Sequence, residues 1–274
     1  MHLSGLYVYP VKSLRGTAVT TAQVDALGVV GDRRFLIVDR TGRFLTQRTL
    51  PRLARIAPQL TATDLVLASD GAGPIAVPLH ASGAVSPVTV SIWRSEGLLA
   101  EDCGDDAARW LTSLLGVECR LVRAGAQFCR PILKSAARDG DVVNFADAVP
   151  FLAIGEASLA DLNDRLAESG EEPVPMNRFR PNLVIAGCPA FAEDTWPRVR
   201  IGDIVLRAAG PCGRCVVTTT DQLTGERGRE PLRTLATYRR DAADPSDVNF
   251  GQNFIHETKS GCLRVGDAVV ALPA

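Results

Sequence analysis

The stretch Arg198–Arg227 reads RVRIGDIVLRAAGPCGRCVVTTTDQLTGER. Its first half is β-rich, with Gly202-Asp203 between two apolar flanks, a composition suited to a tight turn. The pattern returns downstream: RIGDIV at 200–205 is echoed by RVGDAV at 264–269. Two copies do not make a solenoid. They read as two hairpins of one barrel-like domain. The second half, CVVTTT, runs β-branched residues in series, which argues for a strand after Cys215.

The same character extends outward. LSGLYVYPV near the N-terminus and RPNLVIAG at 180–187 are apolar and β-rich. RRFLIVDRTGRFLTQR reads as a hairpin turning at Thr41-Gly42. Residues 56–98, punctuated by Pro74, Pro78 and Pro87, read as several short strands. Only three segments carry helical spacing. DDAARWLTSLLG has Asp105 or Asp106 as N-cap and Gly116 as stop; GEASLADLNDRL aligns Leu159, Leu162 and Leu166; EPLRTLATYRR puts Pro231 in the first turn. The expected class is α+β, predominantly β, with an irregular segment over 131–147 and a boundary near residues 122–130.

The chain has 274 residues, enough for two domains, and a net charge of −1, so no global basic surface for nucleic acid is expected. The N-terminus reads as a strand rather than a signal peptide, and no apolar run approaches membrane-spanning length. A cytoplasmic protein is expected. Seven cysteines at irregular spacings do not suggest a disulfide framework.

PCGRC, Pro211–Cys215, has four readings. A zinc knuckle needs further ligands, and the three histidines are scattered. A dithiol redox pair usually opens a helix, which β-branched residues after Cys215 argue against. Two buried thiols at a turn are the bland reading. In the fourth, a single thiolate beside Arg214 ligates a transition metal carried inside an organic cofactor. That reading also requires groups for the cofactor's anionic parts. Lys12, Ser13 and Arg15 follow a strand; Arg33 and Arg34 precede one; Arg178 and Arg180 precede Pro181. Guanidiniums and hydroxyls of this kind bind phosphate, but each cluster alone also suits a solvated face.

Taken together, YPVKSLRG, GDRRFLIVD with FLTQR, FADAVPFLAIGEASLADLN, NRFRPNLVIAGCPAFAEDTW, IGDIVLR, PCGRCVVTTTDQLTG, EPLRTL and NFGQNF resemble the MOSC family. Within it they are most similar to the group of the mitochondrial amidoxime-reducing component and its bacterial counterparts. The resemblance implies two β-barrel-like domains with a few helices, an N-terminal one over 1–125 and a MOSC domain over 126–274, with the cofactor site between them. It implies molybdenum cofactor, with Cys215 as thiolate ligand of the metal and catalytic centre, and Cys212 as its neighbour. Pyridoxal phosphate is not expected. Lys12, Ser13, Arg33, Arg180 and Asn182 match positions that hold the pterin and its phosphate. Arg214 sits in the cofactor loop, and Asn253 aligns with a further contact. Asp147-Ala148-Val149 matches a loop beside the cofactor, with Ala and Val where relatives often carry hydroxyls. Cys188 reads as structural. The implied activity is reduction of small N-hydroxylated compounds (hydroxylamines, amidoximes or N-hydroxylated bases) to amines. Electrons would come from a separate donor: ferredoxin-like, a flavin reductase, or cytochrome b5-like. The alternative is a cofactor carrier or sulfur-transfer protein without reductase turnover.

Overall fold

The computed structural model describes residues 1–83, 85 and 87–274. Strands dominate, and three α-helices accompany them: α1 over Asp105–Leu115, α2 over Glu156–Glu168 and α3 over Leu232–Tyr238. The class is α+β, predominantly β.

The largest sheet has eight strands. From edge to edge they are Val269–Leu272, Arg198–Ile201, Ile204–Gly213, Asn249–His256, Phe151–Gly155, Leu183–Ala186, His2–Val8 and Thr17–Val19. The N-terminal strand is thus built into a sheet drawn mostly from the second half of the chain, antiparallel to Leu183–Ala186. The sheet curls until its ends meet: Leu3 N–H donates to Asp267 O at 2.9 Å and Val269 N–H to Met1 O at 3.0 Å. Leu3, Leu6, Phe151, Ile185, Val199, Ile204, Leu206 and Phe254 fill its interior. Burial of these side chains drives the closure, at roughly 1.5–3 kcal/mol for each large one.

The remaining modules are smaller. Residues Phe35–Val38, Arg120–Arg123, Ser95–Asp102 and Pro87–Ile92 form a four-stranded antiparallel sheet. A three-stranded meander covers Ala57–Leu60, Asp64–Ser69 and Ala72–Pro78. Between them, α1 buries Ala107, Leu111 and Leu115 against Phe35, Ile37, Leu65 and Leu121. Leu162 and Leu166 of α2 pack with Leu235 of α3 and with Phe179 and Phe250.

Four local expectations change. Gly104, not Asp105 or Asp106, is the N-cap of α1; its φ of 95° favours glycine, and the two aspartates occupy the first turn, where they meet the positive end of the helix dipole. Pro231 caps α3 from outside rather than entering its first turn. The RVGDAV turn is not a hairpin. Gly261–Arg264 pairs with Thr21–Asp25, whereas Val269–Leu272 pairs with Arg198–Ile201, so this turn carries the chain between sheets. Only the first copy is a hairpin, with Ile201 opposite Ile204. Finally, Val216–Thr219 is a 3₁₀ turn, not a strand. Its threonine hydroxyls overrule β-propensity: Thr218 Oγ1 donates to Cys215 O at 3.0 Å and Thr219 Oγ1 to Val216 O at 2.9 Å.

Among the described residues, no helix is long and apolar enough to cross a membrane.

Candidate functional site

A cavity of about 570 Å³ gathers chain segments that are far apart in sequence. Lys12, Ser13, Arg33, Arg180, Asn182, Arg214, Cys215 and Asn253 all line it. Three routes bring them there. Lys12 and Ser13 follow the strand His2–Val8; Arg33 precedes Phe35–Val38; Arg180 and Asn182 precede Leu183–Ala186.

The PCGRC loop arrives by a distorted strand. Pairing of Ile204–Gly213 with Asn249–His256 shifts register twice, between Ala208 and Pro211 and between Pro211 and Gly213. Such irregularities re-aim side chains. Asn253 Nδ2 donates to Pro211 O at 3.1 Å, and Arg214 N–H to Val248 O at 2.7 Å, so the loop is pinned to its neighbour strand. The Arg214 guanidinium reaches Cys212 Sγ at 2.8 Å and Phe179 O at 2.6 Å. Its contact is therefore with the first cysteine of the pair, while its Nε is buried without a partner. Cys215 lines the cavity immediately before the 3₁₀ turn.

The basic wall is organised around Tyr9. Guanidiniums of Arg33 and Arg180 lie over its ring at 4.5 and 4.4 Å from the centroid. Tyr9 is fully buried and donates to Pro181 O at 3.1 Å; burial pushes its phenol well above the usual range, so it stays neutral. Arg33 donates to Asp32 Oδ2 at 2.7 Å and Asn182 Oδ1 at 3.0 Å. Burial works against its charge, but Asp32 outweighs that and raises its pKa. Among the described residues Arg180 forms no ion pair; it donates to Leu14 O at 2.6 Å, and burial pulls it down to about 10. Lys12, only 6% exposed, is ion-paired with Asp147, and burial lowers its pKa despite that partner. The Asp147 side chain is 65% exposed. Although this carboxylate opens into the cavity, the protein mass around it acts to raise its pKa, and the ammonium of Lys12 outweighs that and holds it well below the carboxylate range.

Backbone strain concentrates here. Among the described residues five non-glycines have left-handed φ, and four of them line the cavity: Ser13 (68°), Arg33 (44°), Trp93 (51°) and Arg180 (57°). Each such residue costs roughly 1–3 kcal/mol, and the conformation persists only where the surroundings impose it.

Of the clusters singled out in the sequence, only part enters the cavity. Arg34 pairs with Asp25, Arg178 with Asp221, and Arg15 donates to Gln222 O. Cys188 packs against the barrel core, its thiol pushed up by burial. Asp147, Ala148 and Val149 do line the wall. Sequence reasoning missed Arg48, Trp93, Lys134, Asp241 and Asp247 as lining residues. Arg48 belonged to FLTQR, a quoted motif whose last residue went unused; Trp93 carried no motif. Among the described residues, no group of three or more His, Cys, Asp or Glu side chains is arranged to hold a metal ion, which leaves the zinc knuckle without ligands. The wall thus offers thiols, carboxamides, and six basic side chains against three carboxylates. Basic side chains in such surplus suit an anionic ligand, and thiols are chemically soft groups.

Comparison with known proteins identifies the family. Residues 1–118 match the MOSC N-terminal beta barrel domain and residues 140–270 the MOSC domain. The mouse mitochondrial amidoxime-reducing component 1 is 38% identical over 97% of this chain and 81% of its own length. The human protein of that name is 37% identical, over 97% and 82%. The bovine mitochondrial amidoxime reducing component 2 is 36% identical over the same shares. By both domain matches and by identity along nearly its whole length, this chain belongs to the MOSC family.

Proposed function

We propose that this chain is a molybdenum-cofactor-dependent oxidoreductase that reduces N-hydroxylated compounds to amines, with the Cys215 thiolate as the protein's ligand to the metal. One observation carries the reading: a thiol and a surplus of cations share one strained cavity. The residues present fit the group. Among the described residues Arg180 and Arg214 form no ion pair and donate to the carbonyls of Leu14 and Phe179, Arg214 Nε has no partner, and Asn182 and Asn253 supply carboxamides. When bound, the cofactor supplies the two-electron chemistry that removes oxygen from an N–OH group.

The chain's own residues bind and orient. Lys12, Arg33 and Arg180 offset phosphate charge, and Ser13 adds a hydroxyl donor. Asn182, steadied by Arg33, directs the pterin. Arg214 braces the loop through Phe179 O and so fixes where Cys215 presents its sulfur. Electrons come from a separate ferredoxin-like, flavin or cytochrome b5-like donor. With this function we propose the division into domains 1–125 and 126–274 and a cytoplasmic setting. Relatives named for amidoxime reduction, similar along the whole chain, support the substrate class.

The test begins with metal and pterin content, in a host that makes the cofactor, for wild type, Cys215→Ser and Cys212→Ser. Wild type and Cys212→Ser should hold about one molybdenum and one pterin per chain. Cys215→Ser should lose metal or change its spectrum. Its reduction of benzamidoxime by a chemical reductant should fall more than about 100-fold, beyond the 10–100-fold of outer-shell partners. A wild type free of pterin and molybdenum sinks the proposal. A loaded wild type that yields no benzamidine favours the carrier or sulfur-transfer alternative.

A further inference from the structure

Trp93 has no part in holding the cofactor as proposed above, yet it lines the same cavity. It sits in the turn between the strands Pro87–Ile92 and Ser95–Asp102. Its φ of 51° is an outlier for so bulky a residue. The surroundings impose it. Indole Nε1 donates to Asp147 Oδ1 at 3.0 Å. The Arg48 guanidinium lies over the ring, 4.4 Å from the centroid, and Phe44 meets it edge-on at 4.7 Å.

Despite these three anchors, 42% of Trp93 stays exposed. Among the described residues it is the one large exposed hydrophobic side chain on the cavity wall; the wall's other large apolar residues, such as Phe151, Leu152 and Phe179, are buried or half-buried. Strain is tolerated here without the return of core burial. A tryptophan held rigid and left open at a binding site presents π-surface at little cost in side-chain entropy.

We infer that Trp93 is a stacking platform for the planar aromatic part of the substrate, and that the enzyme prefers aromatic N-hydroxylated compounds to small ones such as hydroxylamine. This rests on the proposed reductase activity. Arg48 covers one side of the indole, so the substrate ring meets the side left open. Asp147 holds the indole in that orientation and is itself held by Lys12.

The test compares wild type with Trp93→Leu and Trp93→Phe. Benzamidoxime binding is followed by ligand-observed NMR without reductant. Trp93→Leu should weaken it roughly threefold to tenfold, the range that one aromatic pair supplies. Trp93→Phe, which keeps a ring but loses the bond to Asp147, should restore most of it and guards against a folding defect. With a chemical reductant, the ratio of kcat/KM for benzamidoxime to that for hydroxylamine should fall by a similar factor in Trp93→Leu alone. Equal binding by wild type and Trp93→Leu overturns the inference. So does a drop in pterin content of Trp93→Leu, which would make the indole a cofactor contact. If wild type reduces neither compound, the reductase reading fails separately, and the binding comparison still decides on Trp93.

Discussion

Arg207 and Arg180 are both guanidiniums drawn into the protein, and they meet opposite surroundings. Arg207, 7% exposed, is ion-paired with Asp141 and donates to Ala136 O at 3.0 Å. Asp141 also takes Lys259 Nζ at 2.8 Å and Arg138 N–H at 2.8 Å, and these partners keep its pKa low although burial opposes them. The cluster is closed, its backbone is unstrained, and it fastens the irregular segment before residue 142 onto the barrel. Arg180 has a left-handed backbone, the Leu14 carbonyl, the Gln222 carboxamide and the Tyr9 ring for neighbours, and among the described residues no ion pair of its own. Buried ion pairs therefore do not by themselves mark a site. A cation without an ion pair of its own, on strained backbone at a cavity wall, as Arg180 is, points to one.

Breaking the closed cluster should cost the most stability. Asp141→Asn leaves Arg207 buried without its counter-charge, and a loss of about 3–5 kcal/mol is expected in urea unfolding. Cofactor content per folded chain should not change. If it falls with stability, the two clusters are not separate in role.

His256 sharpens the same side of the comparison. It is fully buried, Nε2 meets Asp25 O at 2.8 Å, and Nδ1 has no partner. Burial, helped by nearby Lys259 and opposed by Asp25 and Asp141, lowers its pKa to about 4. Between pH 6.5 and 4 the unfolded chain takes up a proton that the folded one refuses. Stability is thus intact above pH 6.5 and is lost as pH falls through that window, by about 3 kcal/mol. Thermal melts of wild type and His256→Gln across this range should diverge there; parallel curves would show that His256 does not carry the loss.

Opening the comparison from the other side gives the smallest stability effect. Arg180→Gln removes a half-buried cation that has no ion pair of its own among the described residues, so unfolding free energy should stay within about 1 kcal/mol of wild type or rise. Pterin retention should nevertheless weaken about 10–100-fold. A strongly destabilised variant would make Arg180 a structural residue like Arg207.

These two arginines also show what could be read in advance. NRFRPN presented Arg178 and Arg180 as equals, but one pairs with Asp221 and the other lines the cavity. Likewise Arg33 faces the site although it pairs with Asp32, whereas its neighbour Arg34 turns away to Asp25. Adjacent side chains diverge, and which of them reaches the cavity depends on how remote segments pack around it. Val216–Thr219 failed for a local reason: hydroxyls that bond back to carbonyls compete with strand formation, and β-propensity does not count them.

The linear chain was enough to determine the mostly β class, the positions of three helices, and a set of thiol, amide and basic residues matching one family. Periodicity and residue chemistry are local properties, so one chain displays them. Only the tertiary structure decided that the N-terminal strand closes a sheet from the other half of the chain, and that Arg180 remains uncompensated while Arg207 does not. It alone put an exposed tryptophan beside Asp147. The pairing of the N-terminal strand with Leu183–Ala186 and of Arg207 with Asp141 joins segments far apart in the chain, and no local pattern encodes which partner will be there.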